Sequence, residues 1–260
     1  MSQFEERQHD INGIATVVLI AGEGDPLVFL HGAGTVTGWD ALLPLAERFR
    51  LIAPVHPGFG ASADDATIDS VHDYRRHYVA LADAMDLEDF NLVGQSMGGW
   101  IASNLAIDHP DRVRRLVLAC PWGLFHSESP TQDLFAIPPE ELPLYLTADL
   151  SVFDGKVPDP PTPEFIEGQQ REMTSAARVL SARPWDPKLG RWLHRISAET
   201  LVLWGDADRL VPVAQAEAWA ELIPNARTHV LPGLGHLIFD ESRESLDVVA
   251  DFLGAGVAAG

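Results

Sequence analysis

The sequence predicts an α/β protein built around a largely parallel sheet, and three observations predict it. Continuous apolar runs at 27–30, 116–119 and 201–204 lack the alternation of a half-exposed strand and suit strands covered on both faces. Helix-like segments follow such runs through short connections, the rhythm of strand–helix–strand units. At 260 residues the chain is long enough for one such domain with an insertion and a sizeable core.

In chain order, an N-terminal hairpin leads into expected strands near 27–30, 51–54, 90–93 and 115–119, with helices near 70–85 and 97–107. From about residue 197 the pattern resumes, with strands at 200–204 and 228–231 and helices near 213–222 and 242–253. Residues 122–196 break the rhythm, carrying P-P-E-E-L-P at 138–143, P-D-P-P-T-P at 158–163 and R-P-W-D-P at 183–187. Prolines at that density stop helices and exclude central strands, so several short helices are expected rather than one long one. A stretch of this length without strands points to a function of its own.

The most informative stretch is N-L-V-G-Q-S-M-G-G-W at 91–100. An apolar run ends at Gly94, Ser96 sits between Gly94 and Gly98, and small residues follow at helical spacing. This is G-x-S-x-G between a strand and a helix, where a serine is held on a sharp turn with its Oγ exposed and a Cβ at either glycine would collide. A serine hydroxyl is a weak nucleophile, so it needs a base, and the base needs an orienting acid. T-L-V-L-W-G-D-A-D-R-L-V-P at 200–212 is an apolar run ending in Gly205 with Asp206 and Asp208 beyond it. H-V-L-P-G-L-G-H at 229–236 is a second short run that ends in a turn at His236. Each candidate follows the carboxyl end of an expected strand, where open α/β sheets place their sites.

Together with P-L-V-F-L-H-G-A-G at 26–34 and A-P-V-H-P-G-F-G-A-S at 53–62, these pieces resemble the α/β-hydrolase-fold superfamily, serine-nucleophile branch, over nearly the whole chain. The resemblance implies a mostly parallel eight-stranded sheet with helices on both faces and a helical cap inserted after the sixth strand. The hydrolase core would then be 1–121 and 197–260, and the cap 122–196. In this family the acid follows the strand-ending glycine by three residues, with a proline four further on. Gly205, Asp208 and Pro212 match that spacing, which favours Asp208 over Asp206. The implied triad is Ser96, Asp208 and His236, with the oxyanion held by the backbone N–H of Met97 and that of Ala33 or Gly34.

Composition narrows the class. A net charge of -20 argues against nucleic acid, whose phosphates need clustered Lys and Arg, and against anionic membranes. Cys120 is the single cysteine, so there is no internal disulfide and no C-x-x-C site; it reads as a small buried residue at a strand end, or as a thiol lining a cavity. The N-terminus has no apolar signal region and no run is long enough to span a membrane, so the expected setting is cytoplasmic. His72 and His77 lie five apart, and there is no H-E-x-x-H, so neither a metal nor another cofactor is expected. His31 and His56 read as braces of their loops. The expected partner is a small-molecule acyl substrate, with the chain a monomer or homodimer.

The leading expectation is hydrolysis of a small or medium carboxylic ester, lactone or thioester through an acyl-enzyme. Serine rather than aspartate at the elbow disfavours dehalogenase and epoxide-hydrolase chemistry. The alternative is carbon–carbon bond hydrolysis of the meta-cleavage type, whose elbow G-Q-S-M-G-G resembles and which shares Trp39 after the His-Gly loop. The chain departs from that subfamily where no Pro-Gly follows the loop, where Gln95 replaces asparagine, and where Leu237 replaces tryptophan. Arg171, Arg178 and Arg183 are candidates for a cap arginine facing a dienoate carboxylate. A perhydrolase or haloperoxidase would use the same triad, whereas a ligand receptor of this fold would have no need of a complete one. Candidate substrate contacts are Trp122, Phe125, Phe135 and Leu237, with Leu134, Leu144 and Tyr145 also on the expected apolar face of the cap.

Overall fold

The computed structural model describes residues 3–181 and 183–255. Strands β1 (Glu5–Ile11) and β2 (Ile14–Ala21) form the expected hairpin, turning at Asn12 and Gly13, which both have positive φ. Asn-Gly is the pair that reaches this conformation most readily in a two-residue hairpin loop. The sheet continues with β3 (Pro26–Leu30), β4 (Arg50–Pro54), β5 (Phe90–Gln95), β6 (Val113–Ala119), β7 (Glu199–Gly205) and β8 (Ala226–Leu231). Its order is β1-β2-β4-β3-β5-β6-β7-β8, with β2 antiparallel to both its neighbours and every other pair parallel. The sequence runs that lack alternation are the central strands: every residue of β5 is buried, as are the last four of β6 and the last six of β7.

Helices α1 (Val71–Ala84) and α2 (Met97–Asp108) pack on each other, with the Ser70 side chain capping α1 through the Asp73 N–H. All of α2 but its last residue is buried, because it lies against β5 and β6 as well as α1. A helix apolar all round is stable only in such a place. A 3₁₀ helix at Asp40–Glu47 packs against β4 and against the C-terminal helix at Arg243–Gly254; it contains Pro44 and escaped the sequence reading because it is short and irregular. No helix among the described residues is long and apolar enough to cross a membrane.

The insertion after β6 holds α3 (Leu142–Leu146) and α4 (Pro163–Leu180), with short 3₁₀ turns at Leu150–Phe153, Leu189–Arg191 and Leu193–Arg195. The expectation of short helices only is corrected by α4, which runs for 18 residues. Its prolines lie at the boundaries: Thr162 caps it, Pro163 takes the first turn where no N–H is needed, and no proline follows until Pro184. A two-residue parallel pairing of Gly123–Leu124 with Trp185–Asp186 ties the start of the insertion to its end. The core resumes with α5 (Gln215–Leu222), α6 (Ile238–Glu241) and α7 (Arg243–Gly254), the last capped by Ser242.

Candidate active site

Ser96 occupies the turn between β5 and α2 with φ 55 and ψ -119, a conformation rare for any residue bearing a Cβ. Close packing on both sides holds it there. A Cβ at Gly94 would lie 2.4 Å from the Gly98 carbonyl oxygen, and one at Gly98 would lie 2.0 Å from that of Leu30. The Ser96 N–H donates to the Ala119 carbonyl at 2.9 Å, and its own carbonyl accepts from Gly99 at 2.9 Å and Trp122 at 3.0 Å. The side chain is left outside this network, with no capping bond to α2.

Asp208 and His236 meet at the neighbouring strand ends. The His236 Nδ1–H donates to Asp208 Oδ2 at 2.7 Å, with both side chains buried. Asp208 Oδ1 accepts from the Leu210 and Val211 N–H groups, each at 2.9 Å, so both carboxylate oxygens are held and the tautomer of the ring is set. Asp206 does something else: its Oδ1 accepts from the Gly233 N–H at 2.6 Å and stabilises the turn after β8. Gly205 lets the histidine loop approach, since a Cβ there would lie 2.2 Å from the Leu234 carbonyl oxygen. Gln95 donates to the His236 carbonyl at 3.1 Å, a brace the sequence reading missed. His236 Nε2 is buried without a hydrogen-bond partner among the described residues, and His236 lines the same cavity as Ser96. Cys120 is fully buried at the end of β6, and burial pushes its thiol well above the usual range. Its sulfur lies within 4.8 Å of the Asp208 and His236 ligand atoms, but those two already bond each other, so the trio is no ready metal site.

The cavity over Ser96 has a volume of about 140 Å³. The core contributes His31, Gly32, Ala33, Gly34 and Trp39, and the insertion contributes Trp122, Leu134, Leu142, Leu146, Gln169 and Met173. Leu237 also lines it. Phe125 and Phe135 do not, which corrects their placement as substrate contacts. Phe125 is 52% exposed and packs on Trp185, on the edge pairing at the base of the insertion, and Phe135 packs against the core beside the wall-forming Leu134. Leu144 is likewise exposed rather than facing the cavity. Arg171 donates to the Gly60 carbonyl, Arg178 pairs with Asp64, and Arg183 lies over Trp185, so none of the three candidate arginines lines the cavity.

Behind the His-Gly loop, His31 and His56 stack at 3.6 Å between ring centroids. Carbonyls only accept, so His31 Nδ1–H donates to Gly32 and its Nε2 accepts from the His56 N–H at 2.9 Å. By the same logic His56 Nε2–H donates to the His31 carbonyl at 2.8 Å while its Nδ1 accepts from Tyr78. Both rings are full as neutral imidazoles and brace the loop. Burial lowers His31 to about 3 and His77, bonded to Thr16, to about 4, and burial with the neighbouring His31 holds His56 well below the usual imidazole range. Depressed histidine values mean that the unfolded chain binds protons the folded chain refuses. Stability is then lost as the pH falls from about 6.5 toward 4, by up to about 1.4 kcal/mol per pH unit for each ring. Asp240, raised to about 6 by burial, works in the opposite direction with one proton against three. Thermal melts should therefore show a melting temperature that falls steadily from pH 7 to pH 5, and a flat profile would contradict this account.

Glu172 of α4 is a second residue that the sequence reading passed over. Though buried, its carboxylate accepts from the Thr35 N–H at 3.0 Å, the Thr35 hydroxyl at 2.5 Å and the Gly60 N–H at 2.9 Å. A buried charge is tolerated where donors surround it in this way. On the other side, the Leu237 N–H donates to the Leu146 carbonyl at 2.9 Å, and Glu241 accepts from the Ala148 N–H at 3.0 Å. The insertion is thus bonded to the loops that carry Thr35 and His236.

A model of the alpha/beta hydrolase family matches residues 27–252. The chain belongs to the alpha/beta hydrolase family. Among relatives of this hydrolase, the 2-hydroxymuconate semialdehyde hydrolase of Pseudomonas sp. (strain CF600) is 32% identical, over 95% of this chain and 93% of that protein. The 2-hydroxy-6-oxo-6-phenylhexa-2,4-dienoate hydrolase of Comamonas testosteroni is 33% identical, over 90% and 89%. The solved meta-cleavage product hydrolase from Pseudomonas fluorescens IP01 is similar with a TM-score of 0.76 at 23% identity, covering 96% of this hydrolase and 97% of that chain, a likeness of fold. These relatives overturn the expected ester, lactone or thioester substrate, since their names match the carbon–carbon alternative instead.

Proposed function

We propose that the chain hydrolyses a carbon–carbon bond next to the carbonyl of a small hydroxy-oxo-dienoate or a close analogue. The observation that carries the reading is the similarity, at 30% identity or more over nearly the whole chain, to hydrolases named for such compounds. The geometry suits it. Ser96 Oγ attacks the ketone or aldehyde carbon and His236 Nε2 takes its proton, while Asp208 holds the ring and supports its charge. The Met97 N–H and that of Ala33 or Gly34 hold the oxyanion. Cleavage needs the keto tautomer, in which the enol proton has moved to the carbon beside the attacked carbonyl. The bond between these two carbons then breaks, its electron pair passes through the chain to the new ketone oxygen as a dienolate, and the imidazolium gives its proton to that oxygen. Water activated by His236 cleaves the acyl-serine.

Breaking a carbon–carbon bond needs a leaving carbanion that is stabilised, and the substrate's conjugated enol supplies this once its keto form offers a ketone as electron sink. A cytoplasmic setting is part of the proposal, supported by a single cysteine and hence no internal disulfide. The test is to supply 2-hydroxymuconate semialdehyde and 2-hydroxy-6-oxo-6-phenylhexa-2,4-dienoate separately and follow loss of the conjugated chromophore. One equivalent of formate or benzoate should appear per chromophore lost, and no acid release from either compound would overturn the proposal.

A further inference from the structure

The charge inside the cavity is unusual for a site that would take a carboxylate. Among the described residues no lysine or arginine lines it, and its one acidic side chain is Asp240, on α6 four residues after His236. Asp240 is half-buried, with the Thr37 side chain beside it. The polar groups that share the wall with it are neutral: Thr37, Gln95, Gln169 and Trp122, whose indole N–H is buried without a partner among the described residues. Lys156 of the insertion, exposed and not part of the lining, is close enough for its charge to act on Asp240, with Nζ 3.8 Å from where a Cβ on Gly38 would stand. The other charged or titratable groups facing the corner are Glu241, next in the chain, and His31 and His236 on the wall.

An anion entering a partly dry cavity beside a carboxylate is repelled far more strongly than it would be in water. A site built to hold one supplies a cation, and a neutral group is left the hydrogen bonds. We propose that Asp240 is a specificity-determining residue: it makes the cavity prefer a substrate whose end near Thr37 is uncharged, and disfavour one that brings a carboxylate there. This rests on the carbon–carbon reading for the reaction but not for the charge preference, which is a property of binding. Within that reading, the substrate would be a neutral relative of the dienoates, such as an ester, amide or ketone in place of the free acid.

The test measures binding to Ser96→Ala, which cannot turn over. Calorimetric titration with 2-hydroxy-6-oxo-6-phenylhexa-2,4-dienoate and with its methyl ester at pH 7.5 should give at least tenfold tighter binding of the ester. Adding Asp240→Asn should close the gap to about threefold by strengthening the acid and leaving the ester alone, a change of ratio that a merely structural role would not produce. Lowering the pH from 7.5 to 5 should narrow the gap in the same way, as Asp240, raised to about 6 by burial, takes up its proton. Equal or tighter binding of the acid would overturn the proposal. So would a loss of acid binding in Lys156→Met, because that lysine would then be the carboxylate's partner. Wild-type enzyme that binds the ester tightly but cleaves neither compound would uphold the charge preference and overturn the reaction.

Discussion

Ser96→Ala is expected to lower kcat for the dienoate substrate by about 10⁴-fold or more while leaving the melting temperature nearly unchanged. The two halves of this expectation have separate grounds. A triad acts as a unit, so loss of the nucleophile removes almost all of its contribution at once. Stability is spared because the turn is held by backbone bonds to Ala119, Gly99 and Trp122, while the hydroxyl caps nothing. Alanine also keeps the same backbone demands as serine at φ 55. Rates and melts on the same preparation check both halves. A variant with a tenth of wild-type turnover would remove Ser96 from the nucleophile's role, and a large fall in melting temperature would show that the hydroxyl supports the fold.

Asp208→Asn should lower kcat by about 10⁴-fold, and Asp206→Asn by no more than a few fold. The amide cannot serve as Asp208 does. Its oxygen would keep the Leu210 and Val211 N–H groups, which leaves the NH₂ facing His236 Nδ1. The ring would then accept at Nδ1 and carry its proton on Nε2, the wrong tautomer for a base. The Asp206 carboxylate accepts the bond from the Gly233 N–H, which an asparagine oxygen also accepts. Side-by-side kinetics of the two variants decide the matter, and a larger effect at Asp206 would reverse the assignment of the acid.

Much of this was legible in the sequence because backbone constraints leave marks on single residues. Gly94, Gly98 and Gly205 are glycines for want of space, and they flagged the elbow and the acid's loop. Continuous apolar runs announced the central strands since both faces are covered. The insertion was harder. Its prolines marked where helices stop, but the 18 residues of α4 lie between two proline clusters and depend on docking through Glu172, Ser175 and Arg178, contacts with no local signature. The same gap misplaced Phe125 and Phe135, whose apolar character fits cavity, core or surface alike. The bond to be cleaved was out of reach for a different reason. Serine, histidine and aspartate attack a carbonyl in the same way whether an alkoxide or a dienolate leaves, so the triad carries no information about the leaving group.

The fastening of the insertion restricts how anything reaches Ser96. Swinging the whole roof away would strip Glu172 of three donors, at about 1.5–3 kcal/mol for each bond to a charged group. At that cost a fully open roof is visited on the order of one time in a thousand or less. Traffic in and out must therefore leave both fasteners closed. The stretch between them, residues 149–161, lines no part of the cavity but is mostly exposed and carries Lys156 beside the wall residue Gly38, which makes it the first place to test for a passage. The molecule then behaves less like a box with a hinged cover than like a room with a fixed ceiling and a side window. Stiffening or lengthening that window would alter how fast substrate enters without touching what happens to it inside.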